Sequence, residues 1–315
     1  MSPIYPSEWH AQPAWALEDE AARVVIVPAL GAKIVSIYDK HTAYEWLVGP
    51  QRPLKPVVYG SSFIAQDMSG WDEMFPTINA CDYPLPGEYA GGFLPDHGEV
   101  WSLPWQVESQ GATGLVLRVD GVALPYCLRR RAALVSPGSL LLEYQLENTG
   151  VASFAYLWAA HPQFVAGEHT AIVLPESATQ VVNVLPGEVW GAAGGIYTWP
   201  RPHSKDGRLW ELERIRSADH HDCRKFYLPP EAPVPWAALV NQQLGCSLRL
   251  EWSPAELPYL GIWVDEGTYN PKPVVALEPS NGYYDSLEVA IHNQRVPIIE
   301  PGTRHAWSLV VRLGT

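Results

Sequence analysis

Residues 140–147 read Leu-Leu-Leu-Glu-Tyr-Gln-Leu-Glu. Side chains alternate faces along an extended chain, so Leu140, Leu142, Tyr144 and Leu146 share one side while Glu143, Gln145 and Glu147 share the other. That pattern predicts a half-buried strand of an antiparallel sheet. The same alternation recurs in Ser247-Leu248-Arg249-Leu250-Glu251-Trp252 and across Trp307 to Leu313. Arg23 to Val27 and Lys33 to Tyr38 read as a hairpin around Pro28-Ala29-Leu30-Gly31. Val119-Asp120-Gly121-Val122 and Val135-Ser136-Pro137-Gly138-Ser139 are further turn signals. Helical periodicity is nearly absent. The 30 prolines and 25 glycines are scattered through the 315 residues without a period. Proline avoids helix interiors and central strands, so this abundance implies many short strands joined by turns. The expectation is an all-β chain of two packed antiparallel sheets.

No repeat or linker divides the chain, and residues 1–315 read as a single domain. The stretch from Trp199 to Asp222, rich in Pro, His and charge, reads as a long excursion over a sheet edge. With 47% hydrophobic and only 17% charged residues the chain can bury a large core. The 34 acidic against 21 basic residues give a net charge of −13, which repels nucleic acid and anionic lipid. The one basic cluster, Arg129-Arg130-Arg131, lies in an alternating segment and reads as a charged strand face. Cys81, Cys127, Cys223 and Cys246 form no CxxC pair and fit neither a zinc site nor a disulfide framework. The first residues lack the basic and apolar regions of a signal peptide, and no apolar run approaches membrane-spanning length. A reduced, cytoplasmic protein is the expectation.

Three separated islands each offer a proton-handling side chain. They are Pro95-Asp96-His97-Gly98-Glu99-Val100-Trp101, Trp158-Ala159-Ala160-His161-Pro162-Gln163-Phe164 and Ala276-Leu277-Glu278-Pro279-Ser280-Asn281-Gly282. Glu278 follows an apolar β-type run and precedes Pro279, which is expected to end strand pairing. Partial desolvation there would raise its pKa toward that of a general base. The ordinary alternative is a glutamate that caps a turn or pairs with arginine. His161 repeats the arrangement before Pro162, and imidazole is the natural acid at neutral pH. Alone it reads more often as a satisfied structural histidine. His97 lies in a loop beside Gly98, which permits close approach of a ligand or backbone. Asp96 or Glu99 could set its tautomer. Trp71, Trp101, Trp105, Trp158 and Trp263 lie in or near these islands; one or two are expected to stack on a sugar's apolar face, the rest to be core. The combination points to carbohydrate chemistry.

Taken in order, these islands resemble the aldose 1-epimerase (galactose mutarotase-like) family. The resemblance rests on Gly31-Ala32-Lys33-Ile34-Val35-Ser36-Ile37 with Glu45-Trp46-Leu47, on His97-Gly98, on Asn148-Thr149-Gly150 leading to His161-Pro162-Gln163-Phe164, and on Glu278-Pro279. It spans about residues 20 to 312. It implies a β-supersandwich with an open sugar cleft, a monosaccharide substrate and no metal or other cofactor. It also implies Glu278 as general base, His161 as general acid and His97 on the ring-oxygen side. The chain departs from the family where Gly70-Trp71-Asp72-Glu73-Met74-Phe75-Pro76 replaces an Asn-Arg motif. The family's sugar-gripping aspartate has no clean match; Asp72 and Asp222 are candidates, with Trp71, Lys225 and Trp263 as further substrate contacts. The phosphate-binding arginines of the hexose-6-phosphate branch have no counterpart beyond Arg129 to Arg131. Two other readings remain open: a non-catalytic sugar-binding or regulatory protein on the same fold, and a metal site formed by His97, His161 and Glu278.

Overall fold

The computed structural model describes residues 3–314. The expected alternation resolves into two large sheets whose registered pairs are all antiparallel. The larger runs, in spatial order, Ile4–Trp9, Gln12–Glu18, Ala22–Val27, Lys33–Asp39, Trp71–Met74, Ala159–Pro162, Val274–Ser280, Tyr259–Glu266, Asp222–Tyr227, Gln180–Asn183 and Ile196–Thr198. The smaller runs Thr170–Val173, Trp236–Asn241, Cys246–Trp252, Arg304–Gly314, Ser139–Asn148, Tyr126–Ser136, Gly114–Asp120 and Gln106–Gly111. One short helix, Leu287–His292, is capped by the Ser286 hydroxyl, which accepts from the Val289 amide. Among the described residues no helix is long and apolar enough to cross a membrane.

The core lies between the sheets. Leu140, Leu142, Tyr144 and Leu146 are all buried there, opposite Val311, Leu309, Trp307 and His305. Tyr144 and Trp307, a directly opposed pair, stack with centroids 5.5 Å apart. The Ala22–Val27 and Lys33–Asp39 hairpin forms as its sequence predicts.

The Arg129-Arg130-Arg131 run differs from the uniform charged face expected of it. Arg129 and Arg131 pair with carboxylates on the outer side, Glu108 and Glu143 among them, but strand alternation turns Arg130 inward. There its guanidinium meets Glu73 of the larger sheet at 2.8 Å, with both side chains wholly buried. The Tyr144 hydroxyl donates to the same carboxylate at 2.7 Å. A polar clamp therefore joins the two sheets through an otherwise apolar layer.

Candidate active site

The site lies on the outer face of the larger sheet. In Val274–Ser280, Val275 and Leu277 enter the main core, so Ala276 and Glu278 face the other way. Register carries that face across the sheet. Trp263 stands opposite Ala276, Gly261 opposite Glu278, and Lys225 opposite Trp263. Gly261 is needed for space, since a Cβ there would meet Glu278 Oε2 at 2.9 Å. Pairing does not stop before Pro279 as expected: Leu260 opposes Pro279, and Tyr259 opposes Ser280. The strand's other side is registered only at Val274, Val275 and Ser280, so Pro279 falls where a second neighbour is missing.

That incomplete side receives the ring of His161. Its Nδ1 lies 3.0 Å from Glu278 Oε1, and both residues are buried. Lys225 Nζ approaches Glu278 Oε2 at 2.8 Å and Asp285 Oδ1 at 3.0 Å. The Tyr227 hydroxyl donates to the same Asp285 oxygen at 2.9 Å. Burial alone would raise the Glu278 pKa, but the Lys225 ammonium and the His161 hydrogen bond outweigh it and bring it down to about 2. The expected rise is therefore reversed, because the sequence does not reveal that the lysine sits against the carboxylate. Burial likewise opposes the Lys225 ammonium, yet Asp285 and Glu278 hold its pKa above the ordinary value.

His97 arrives from the loop that crosses this face. It is itself left-handed, at φ 58, as is Gly98, where a Cβ would lie 2.0 Å from the Phe75 carbonyl oxygen. The close approach that Gly98 permits is thus one of backbone to backbone. Asp96 holds His97 Nδ1 at 2.8 Å, which leaves Nε2 without a protein hydrogen bond among the described residues. Glu99, the other candidate partner, is buried elsewhere and accepts from the Val122 and Ala123 amides and the Tyr126 hydroxyl. Burial lowers the His97 pKa, and Asp96 only partly offsets it. The Phe63 ring stacks on His97 at 4.2 Å and meets His161 edge-on at 5.2 Å.

Glu278, His161, His97, Lys225, Asp285, Trp263 and Phe63 line one cavity of about 170 Å³. Cys223 also lines it, but burial pushes its thiol up to about 12, so no thiolate nucleophile stands ready there. His97, His161 and Glu278 do not form the metal set considered from sequence. Among the described residues no group of three or more His, Cys, Asp or Glu side chains is placed to hold a metal ion.

Of the sequence candidates for substrate contact, Lys225 and Trp263 line the cavity and three others do not. Trp71 is wholly buried in the core, edge-on to Phe164, because strand alternation turns it to the inner face. Asp72 does share the outer face with His161, its registered partner, but lies 1% exposed beneath it with Lys33 at 3.2 Å. Asp222 is one residue out of phase with Cys223 and Lys225, and turns to Arg216 and Arg224 at 2.5 and 2.9 Å. Asp285, Phe63 and Gln163 belong to the site but carry no local signal. Phe63 opens the short helical turn Phe63–Ala65, Asp285 sits in the loop before the helix Leu287–His292, and Gln163 reads as one more polar residue after Pro162.

Comparison with known proteins follows the same division. A domain family of unknown function, DUF4432, matches residues 230–313, which include Trp263 and Glu278 but neither histidine. No curated protein matches the chain. Among solved structures, the Slr1438 protein of Synechocystis sp. PCC 6803 superposes with a TM-score of 0.71 at 18% identity, covering 98% of this chain and 97% of that one. A galactose mutarotase related enzyme from Lactobacillus acidophilus gives 0.68 at 16% identity, covering 96% and 97%. A galactose mutarotase-like protein from Lactobacillus casei ATCC 334 gives 0.66 at 17% identity, covering 96% and 100%. The fold is galactose mutarotase-like. The all-β supersandwich expected from the resemblance is therefore the architecture of this chain, and the shared galactose mutarotase-like frame spans almost its whole length.

Proposed function

We propose that the protein is an aldose 1-epimerase-like isomerase that interconverts the anomers of a free monosaccharide. The reading is carried by one observation: Glu278, His161 and His97, which lie far apart in sequence, line a single small cavity with aromatic walls. Mutarotation requires a proton acceptor at the anomeric hydroxyl and a donor at the ring oxygen, and two positioned groups supply them without a cofactor. Glu278 is the acceptor, held ionised by Lys225. Its neighbour His161 has both ring nitrogens engaged by protein groups, Glu278 at 3.0 Å and Gln163 at 2.8 Å. The imidazole edge open to a ligand is that of His97, whose Nδ1 rests on Asp96. The donor's role therefore passes from His161, as the sequence resemblance implies, to His97. Ring opening follows, C1–C2 rotation exposes the other carbonyl face, and closure returns both protons. Lys225 and Asp285 offer hydrogen bonds to sugar hydroxyls, and Trp263 and Phe63 offer apolar faces.

Polarimetry on freshly dissolved single anomers of several aldoses tests the reading. Faster equilibration of at least one sugar, lost in Glu278→Gln, supports it; no acceleration of any sugar would sink the enzyme claim. A second reading, sugar binding without turnover, is favoured by the low Glu278 pKa, because a carboxylate so well stabilised is a weak base. Calorimetry separates the two: sugar binding to the native protein without faster equilibration supports the binding module.

A further inference from the structure

A second cavity, about 500 Å³ in volume, adjoins the catalytic one. Phe63 lines both, and the residues that follow it divide them. Ile64 and Met68 line the catalytic cavity, Gln66 and Asp67 the larger cleft. At about 170 Å³ the catalytic cavity falls below the roughly 300–1,000 Å³ of ordinary ligand pockets, whereas the cleft lies within that range. Trp101, one of the tryptophans of the sequence islands, belongs to the cleft rather than to the catalytic cavity. Its Nε1 donates to the Asp96 and Gly98 carbonyls at 3.0 and 3.1 Å, so what it offers the cleft is ring carbon. Leu54 and Val57 add apolar wall, and the half-buried amides of Gln12 and Gln66 supply donors and acceptors.

The charges of the cleft select a neutral occupant. Lys33 Nζ lies 3.2 Å from Asp67 and 3.2 Å from Asp72, and all three residues are buried. Two carboxylates against one ammonium leave this group negative, and the cleft's other cation, Lys55, is exposed. A phosphate or carboxylate is poorly matched there. A neutral ring with an apolar face and several hydroxyls is well matched.

The cleft also has a definite place relative to the reacting atoms. Phe63 stacks on His97 at 4.2 Å, and Trp101 meets Phe63 edge-on at 5.2 Å, so the cleft lies on the His97 side. Lys225 and Asp285 lie on the Glu278 side. In a pyranose the ring oxygen is bonded to C1 and C5, and C5 carries C6. With Glu278 at the anomeric hydroxyl and His97 at the ring oxygen, C6 is directed past His97 toward Phe63. On the acid–base reading above, we infer that this cleft is a subsite for a second, neutral sugar unit joined through O6 of the reducing sugar. The substrate class is then a 6-linked reducing disaccharide.

Calorimetry and polarimetry with matched sugars test this. Glucose and galactose are compared with the 6-linked isomaltose, gentiobiose and 6-galactobiose, and with the 4-linked maltose and lactose. At least one 6-linked sugar should bind about tenfold or more tighter than its parent hexose, a gain that two amide hydrogen bonds and one apolar contact suffice to give. Ala29→Trp fills the cleft from an exposed position on its wall that does not line the catalytic cavity. It should abolish the 6-linked gain and leave the free hexose unchanged. No gain for any 6-linked sugar, an equal gain for the 4-linked ones, tighter binding of glucose 6-phosphate than of the 6-linked sugars, or a gain that survives Ala29→Trp overturns the inference. Should that variant not fold, the comparison of sugars on the native protein decides alone. A 6-linked preference without faster equilibration keeps the subsite and sinks the isomerase; accelerated hexoses without the preference do the reverse.

Discussion

Replacing Lys225 by methionine removes the cation that holds Glu278 ionised in a buried setting. The ordinary glutamate value is 4.5, and in the folded protein Glu278 is brought to about 2. The difference, 4.5 − 2, is about 2.5 pH units, or about 3 kcal/mol in favour of the carboxylate. A depressed folded pKa stabilises the protein above the unfolded value of 4.5, and that contribution is lost as the pH falls through about 2. In Lys225→Met the leading influence left on Glu278 is burial, which acts in the opposite direction, so its pKa should climb above 4.5. Selective ¹³C-carboxyl glutamate labelling reads that midpoint directly, and the acid limb of kcat/KM should move up with it by at least about two pH units. Urea titrations should show the variant less stable at neutral pH by roughly 3 kcal/mol, the penalty for leaving a buried charge without its partner. That gap should narrow as the pH drops below 4.5. An identical Glu278 midpoint in both proteins would refute the account of this site.

Gly261→Ala places a Cβ 2.9 Å from Glu278 Oε2 and 3.3 Å from the Tyr227 ring. The carboxylate should be pushed off its place beside Lys225, lowering kcat by ten-fold or more in polarimetry and costing about 1–3 kcal/mol of stability. If His97 is the donor, its lowered pKa predicts that kcat/KM falls as the pH rises through a value below 6.5, and Asp96→Asn should move that arm further down. Between the sheets, Arg130→Met alone strands a wholly buried Glu73 and should cost about 3–5 kcal/mol in denaturant titration. Adding Glu73→Met should restore most of it, since burial already pushes Glu73 up to about 7.

The strands were legible because a period of two is written in neighbouring residues, as in Leu140 to Glu147. The same rule, applied to Arg129-Arg130-Arg131, reads the run as a surface face and misses Arg130. Its inward turn shows only once Glu73 arrives from the other sheet. Asp222 illustrates the converse: it sits beside Cys223 of the cavity in sequence, and alternation sends it to the opposite face.

By itself the sequence determined the all-β class, the order of the islands and the side chains able to move protons, because these follow from residue type and local spacing. Only the tertiary structure decided which groups meet. It set Lys225 against Glu278, Asp96 rather than Glu99 on His97, Gln163 on His161 and Asp285 in the cavity. The physical reason is that proton affinity depends on burial and on charges a few ångströms away, and in an antiparallel sheet those neighbours come from strands distant in the chain.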